Sequence, residues 1–337
     1  MKASPVETPY ALVGLAFGGP DEPDAIEAYL YERLSDPQAP VFAGGPLARR
    51  LLARRVARSR AAVLRERYAT IGGGSPASTY ALAQVESLVD RLKATRGERW
   101  RGYLALRYWH PFATEAVKRM QADGIERAVL LPLMPHQAPA TSGTCLAAFE
   151  RAARSAGLEA ETTVVGSWHA HPAYLDVLAR VLEEAAEEAG RGTAGRVHVL
   201  LTARGLPRRA VHGDDVYLAA TRETMRGLVE RLPSDLEIEL CHLPLIGRAS
   251  GPGPCLTDRL QELAAQGVRA VVTASISSTY DDFETLWDLD IRHRALAQEH
   301  GIERYVRAKE LNDSPDFEAA LLAIVSDHLE RTGFLEG

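Results

Sequence analysis

Asp123-Gly124-Ile125-Glu126-Arg127-Ala128-Val129-Leu130 and, much later, Gln266-Gly267-Val268-Arg269-Ala270-Val271-Val272 share one plan. In each, a polar residue and a glycine close a helix, an apolar and then a basic residue follow, and a buried strand begins. The glycine supplies the left-handed conformation that ends the helix. The same helix-to-strand junction in both parts of the chain implies two related α/β halves, with the join between Gly166 and Pro172.

Working outward, apolar runs predict strands at Ala11–Phe17, Tyr103–Arg107, Ala128–Leu133, Thr162–Val165, Val197–Ala203, Ile238–Cys241 and Ala270–Ser275. Helical spacing predicts helices over Ala25–Leu34, Leu47–Tyr68, Tyr80–Lys93, Thr114–Gln121, Thr144–Ala156, Pro172–Ala189, Leu218–Arg231 and Thr257–Ala265. Strands alternating with helices imply parallel sheets covered on both faces. The expected units are residues 1–166, residues 167–314, and a final helix within 315–337, Pro315–Arg331, that packs back on the body.

The 337 residues suffice for two domains, each with its own core. A net charge of -6 argues against a nucleic-acid binder. Cys145, Cys241 and Cys255 are the only cysteines and stand far apart, with no zinc or disulfide spacing, which fits a reducing compartment. With no long apolar run, the expectation is a cytoplasmic protein with at most peripheral membrane contact.

The densest chemistry lies in Tyr280-Asp281-Asp282-Phe283-Glu284-Thr285-Leu286-Trp287-Asp288-Leu289-Asp290, where five carboxylates are interleaved with apolar residues. On a helix, Glu284 and Asp288 share a face about one turn apart. That is either an exposed acidic helix or carboxylates lining a cation path, since hard divalent ions take oxygen ligands.

Loops at the carboxyl ends of parallel strands are where ligands gather. They include Phe17-Gly18-Gly19-Pro20, Arg107-Tyr108-Trp109-His110-Pro111 and Thr202-Ala203-Arg204-Gly205-Leu206-Pro207. Gly18 and Gly19 lack the rest of a nucleotide-binding motif. Gly72-Gly73-Gly74-Ser75-Pro76 reads as an anion-binding helix start or as a plain connection. His169 and His171 could reach one metal, but no third ligand is near, so a metal-free loop pair is the better reading. His110 reads as part of a turn.

Taken in order, several segments resemble the ferrochelatases, the enzymes that insert ferrous iron into a porphyrin to complete haem. They are Gly18-Gly19-Pro20-Asp21, Leu34-Ser35-Asp36-Pro37, Ile71-Gly72-Gly73-Gly74-Ser75-Pro76, Arg107-Tyr108-Trp109-His110-Pro111, Gly124-Ile125-Glu126-Arg127, Glu284-Thr285-Leu286, Leu289-Asp290-Ile291 and Leu311-Asn312-Asp313-Ser314-Pro315. The resemblance implies two similar Rossmann-like domains, each a parallel four-stranded sheet flanked by helices, with a porphyrin cleft between them. It also implies no organic cofactor, porphyrin and ferrous iron as substrates, and a monomer or homodimer. Phe17, Ser75, Arg107 and Tyr108 fall on motifs that imply substrate contact. Glu284 and Asp288 match the family's acidic ridge, and Glu284 and Asp282 are the expected metal contacts.

The chain departs from the family pattern at Arg204, which stands where the family carries its presumed catalytic histidine. A guanidinium stays protonated and has no lone pair for a metal. Asp282 replaces a second histidine, Arg292 follows where another acid is common, and Ser250-Gly251-Pro252-Gly253-Pro254 lacks the expected tryptophan. Two readings follow. In one, an active ferrochelatase uses Glu284 or Asp282 as base, with Arg204 restraining Glu284 or holding a propionate. In the other, a tetrapyrrole-binding paralogue has lost chelation. A cobalt or nickel chelatase shares the fold, but would be expected to keep cleft histidines.

Overall fold

The computed structural model describes residues 8–38, 41–42, 44–97, 99–193, 195–207, 216–243, 249–251 and 253–335. The first sheet holds β1 (Tyr10–Ala16), β2 (Trp100–Leu106), β3 (Arg127–Pro132) and β4 (Glu161–Val164), all parallel, in the order β2-β1-β3-β4. The second holds β5 (His198–Arg204), β7 (Glu237–Leu243), β9 (Ala270–Ser275) and β10 (Arg304–Arg307), also parallel, in the order β10-β9-β5-β7. Numbered from the start of each half, both sheets run 2-1-3-4, so the two halves share one topology. A short antiparallel pair, β6 (Leu206–Pro207) with β8 (Ala249–Ser250), lies beyond the second sheet.

The helices are α1 (Ile26–Ser35), α2 (Pro46–Ala69), α3 (Ala77–Arg96), α4 (Ala113–Ala122), α5 (Ser142–Ala156), α6 (Pro172–Gly190), α7 (Val216–Val229), α8 (Leu256–Ala265), α9 (Arg294–Glu299) and α10 (Pro315–Thr332). Each predicted strand and helix is present with ends shifted by a few residues. β10 and α9 were not predicted. β10 is short and carries arginines at both ends, which hides it from a search for apolar runs.

Burial follows the pleat. Along β1, Leu12 and Ala16 face one core while Ala11, Val13 and Leu15 face another, as a doubly covered parallel strand requires. The first core continues through α3, α6 and α10 to Val199, Leu201 and Val272 of the second sheet, joining the two halves. α10 contributes Phe317, Leu321 and Val325 to it and packs on both α3 and α6. A separate cluster joins α1 and α2 through Ile26, Leu30, Leu34, Ala53, Ala57 and Tyr68, with Phe283 packed against it.

The acidic stretch departs from a regular α-helix. Glu284–His293 is a π-helix that runs directly into α9. Three successive carbonyls in it receive side-chain donors. His293 Nδ1 lies 2.6 Å from Asp288 O, Tyr305 Oη donates to Leu289 O at 2.7 Å, and Arg294 Nε donates to Asp290 O at 3.0 Å. Such wide turns are uncommon and concentrate at functional sites. Burial pushes the His293 pKa down to about 4, so the ring is neutral. Nδ1–H then donates to Asp288 O, and Nε2 accepts from the Thr257 hydroxyl at 3.1 Å.

Candidate active site

The carboxyl ends of β1, β2, β5 and the segment after β9 bring Phe17, Arg107, Tyr108, Arg204 and Glu284 to one edge of the fold. At Gly18, φ is +74°, and a side chain there would press on Leu106 and Trp109. Glycine therefore lets the chain turn tightly after β1.

Arg204 is the centre of the arrangement. Its Nη1 lies 2.8 Å from Glu284 Oε1 and its Nη2 lies 3.4 Å from Asp282 Oδ2. Arg33 of α1 reaches the same Glu284 oxygen with Nη2 at 3.4 Å, and donates through Nη1 to Tyr29 Oη at 3.4 Å. Only 9% of the Arg204 side chain is exposed. Burial alone would lower the Arg204 pKa, but Glu284 and Asp282 outweigh it and raise it. The cation is permanent. Two guanidiniums and two carboxylates make the cluster formally neutral.

Asp282 is held as well as charged. Its Oδ1 accepts the backbone N–H groups of Glu284 at 2.8 Å and Thr285 at 3.1 Å, the first two of the π-helix. Burial, then the neighbouring Glu284, raises its pKa above the aspartate range against the pull of Arg204. Asp288 is pushed up to about 6 by burial and then by Glu284, although Arg292 Nη1 pairs with it at 3.1 Å. Asp281 belongs to a different group: Arg307 Nη1 at 3.0 Å, the Asn312 amide at 2.9 Å and the Thr285 hydroxyl at 3.0 Å all address it.

Aromatic residues form the walls. The Arg204 guanidinium stands 5.2 Å from the Phe17 ring centre, Phe17 stacks on Tyr108 at 5.5 Å, and Tyr29 meets Tyr108 edge-on. On the other side, Arg67 caps Trp287 at 4.2 Å, Trp287 stacks on Phe283 and Phe283 meets Tyr68. This column ties the end of α2 to the π-helix and so places Glu284.

Among the expected substrate contacts, Phe17 faces the cluster, but three others have internal tasks. Ser75 is buried and its Oγ accepts the N–H of Ala77. Its own N–H goes to Pro20 O, and Gly74 lies against Asp21 so closely that no side chain would fit. The Tyr108 hydroxyl is buried and donates to Asp36 Oδ2 at 2.8 Å, and Arg107 Nη2 reaches the same oxygen at 2.9 Å. Asp36 has no exposed side-chain surface, so Arg107 neutralises a fully buried carboxylate that Tyr108 also hydrogen-bonds.

The expected metal pair, Glu284 and Asp282, is engaged by arginines, and no group of three or more candidate ligands exists among the described residues. His169 pairs with Glu223 and His171 with Asp327, which gives both histidines structural partners. His110 contacts Glu115 in the turn before α4, as read from the sequence. Of the segment that lacks the tryptophan, Pro252 lies outside the described residues. Sequence reasoning missed Arg33, Tyr29 and Asp36. Arg33 and Tyr29 sit four apart on the inward face of α1, a signal visible in the periodicity, whereas the partner of Asp36 was not.

The ferrochelatase family model matches residues 9–329. The chain belongs to the ferrochelatase family. It is 33% identical over 318 residues to the ferrochelatase of Gloeobacter violaceus, covering 94% of this chain and 96% of that one. It is 30% identical over 315 residues to that of Geotalea daltonii, with the same two coverages, 94% and 96%. In solved structures the fold resembles SirB from Bacillus subtilis with Fe3+, at TM-score 0.51 and 14% identity, covering 73% of this chain and 89% of that one. Family membership places the chain among the lyases of haem biosynthesis, on a chelatase fold.

Proposed function

We propose that the protein inserts ferrous iron into a porphyrin, with Asp282 and Glu284 receiving the pyrrole protons and Arg204 as their fixed counter-charge. The observation that carries this reading is the convergence of both carboxylates on Arg204. Metal insertion requires two N–H protons to leave the macrocycle, and each needs an acceptor near its ring. Asp282 has the raised basicity for that task, and its Oδ2 is not taken up by the backbone N–H groups that Oδ1 accepts. Arg204 accepts no proton, so its role is electrostatic and positional.

Arg204 touches Phe17 across the site. A flat macrocycle therefore enters by displacing the guanidinium, and a propionate of the porphyrin is the natural new partner for it. Ferrous iron, a substrate here, arrives at a cluster whose negative charge is exposed only when an ion pair opens. Asp288 lies along the same helix and extends the carboxylate path.

The surroundings support peripheral contact with a membrane. α2 carries eight arginines and one acid, Glu66, in its 24 residues. Leu47 and Leu51 on it are 73% and 61% exposed. A strongly basic helix with exposed leucines suits an anionic interface. Among the described residues no helix is long and apolar enough to cross a membrane. The free cysteines fit the cytoplasm, and a monomer or homodimer suffices because the site is built within one chain.

The deciding experiment is iron insertion into protoporphyrin and coproporphyrin by the purified protein, followed by loss of porphyrin fluorescence. Wild type turns over, and Glu284→Gln and Asp282→Asn each lose about a hundredfold or more. The double hold of Arg33 and Arg204 on Glu284 Oε1 favours the second reading, a porphyrin-binding relative without chelation. An inert wild type beside an active Arg204→His variant would establish that reading and overturn ours.

A further inference from the structure

Arg204 is the last residue of β5, and at that point its strand has lost one neighbour. The ladder between β5 and β9 ends with Thr202 opposite Ser275, and Ile276 N–H donates to Thr202 O at 2.9 Å. Beyond it, the Arg204 N–H and C=O on that side have no strand to meet. A buried unpaired backbone group is costly, and two side chains supply the partners. Arg204 N–H donates to Ser277 Oγ at 2.9 Å, Ser277 Oγ and Tyr217 Oη lie 2.7 Å apart, and Tyr217 Oη donates to Arg204 O at 3.2 Å. The donors are consistent around the ring: the serine hydroxyl donates to the tyrosine, which donates to the carbonyl.

We propose that Ser277 and Tyr217 are positioning residues for Arg204, and that their hydroxyls set the register between the guanidinium strand and the carboxylate segment. Ser277 is five residues before Asp282 and seven before Glu284 on the same stretch of chain. A single hydroxyl therefore locks the backbone that bears the cation to the backbone that bears both anions. Tyr217 adds the third body, α7. Its ring meets the edge of His136 at 5.8 Å, and the buried His136 reaches Thr224 of α7 with Nε2 at 2.9 Å. His136 follows β3, so the first half of the fold holds the helix that holds Arg204. An arginine stem has several rotatable bonds and loses much freedom on fixing. A fixed backbone is what allows its head to meet Glu284 Oε1 and Asp282 Oδ2 together.

This inference refines the proposed site and rests on Arg204 being part of it, so its test has a ligand-free arm. The Nε–H resonance of Arg204 in the full-length protein is identified by its loss in Arg204→Lys, and its hydrogen exchange is measured. Ser277→Ala and Tyr217→Phe should each speed that exchange about five- to tenfold, because each removes one hydrogen bond from the backbone that holds the guanidinium in place. Ser277→Thr keeps the hydroxyl and should restore the wild-type rate, which also guards against loss of folding in the alanine variant. The second arm measures protoporphyrin affinity by fluorescence quenching. Ser277→Ala should weaken binding in the wild-type background and change nothing in Arg204→Ala. An unchanged Arg204 resonance in Ser277→Ala, or equal losses of affinity with and without Arg204, would overturn the assignment. If wild type binds no protoporphyrin, the proposed function fails while the exchange arm still decides the positioning.

Discussion

Arg204 Nη1 and Glu284 Oε1 are 2.8 Å apart, and the same oxygen also receives Arg33 from the other half of the chain. On the proposed function, this places two permanent cations on one of the carboxylates proposed to serve the insertion. Their removal should therefore raise metal affinity. At an effective dielectric of about 20, a unit charge at about 5 Å is worth on the order of 3 kcal/mol, before solvent screening reduces it. Arg204→Ala should bind Co2+ about tenfold more tightly than wild type by calorimetry, and Arg33→Ala should gain less because its contact is longer. Equal affinities in all three proteins would show that the ion pair does not gate the metal.

The raised carboxylates make a pH prediction. Asp288 titrates at about 6 in the folded chain against an ordinary value of 3.8, and Asp282 is shifted in the same direction. The folded state thus binds more protons than the unfolded state between about pH 4 and 6, so stability falls as pH rises through that window. Asp288→Asn removes the charge that burial penalises. Its thermal midpoint should exceed that of wild type at pH 7.5 and match it near pH 4, read by circular dichroism. A variant less stable than wild type at pH 7.5 would mean that the Arg292 contact outweighs burial.

Much of this was legible in the chain, and the limits have physical causes. The paired helix-closing glycines, each followed within three residues by an arginine and a strand, point to two halves, and both sheets do share one strand order. The carboxylates of the acidic stretch were visible, but the π-helix was not. Residue spacing of four fits either helix, and the choice depends on donors from Tyr305 and Arg294 to its carbonyls. Arg204 was recognised as a departure, and restraint of Glu284 was one expected role. The periodicity of α1 marks Arg33 as inward-facing, but its pairing with Glu284 leaves no trace in the sequence because the two are 251 residues apart. The motifs imply substrate contact at Tyr108 and Ser75, and the hydroxyls of both are engaged inside the protein, with Asp36 and with Ala77 N–H.

Asp36 should be among the most sensitive positions for stability. Its carboxylate has no exposure and satisfies both the Tyr108 hydroxyl and Arg107, while its Oδ1 accepts the Gln38 N–H at 2.8 Å. Removing one member of a buried pair leaves the other charge without compensation, at a cost of about 3–5 kcal/mol. Asp36→Ala should lose that much in urea denaturation. The paired change Asp36→Ala with Arg107→Met should recover part of it. No recovery would locate the cost in the Tyr108 and Gln38 hydrogen bonds instead.

α2 offers the last test. On the proposed membrane contact, its arginines would attract anionic lipid and its exposed leucines would insert, so the two contributions can be separated. Wild type should sediment with vesicles containing about a third phosphatidylglycerol and stay in solution with pure phosphatidylcholine, and the difference should shrink as salt screens the charge. Leu47→Ser with Leu51→Ser leaves the charge intact but removes apolar area worth roughly 1.5–3 kcal/mol per fully buried side chain. That variant should bind at least about tenfold more weakly at every salt concentration while keeping the wild-type iron-insertion rate in detergent-free assay. Binding that depends on neither lipid charge nor these leucines would remove α2 from the membrane contact.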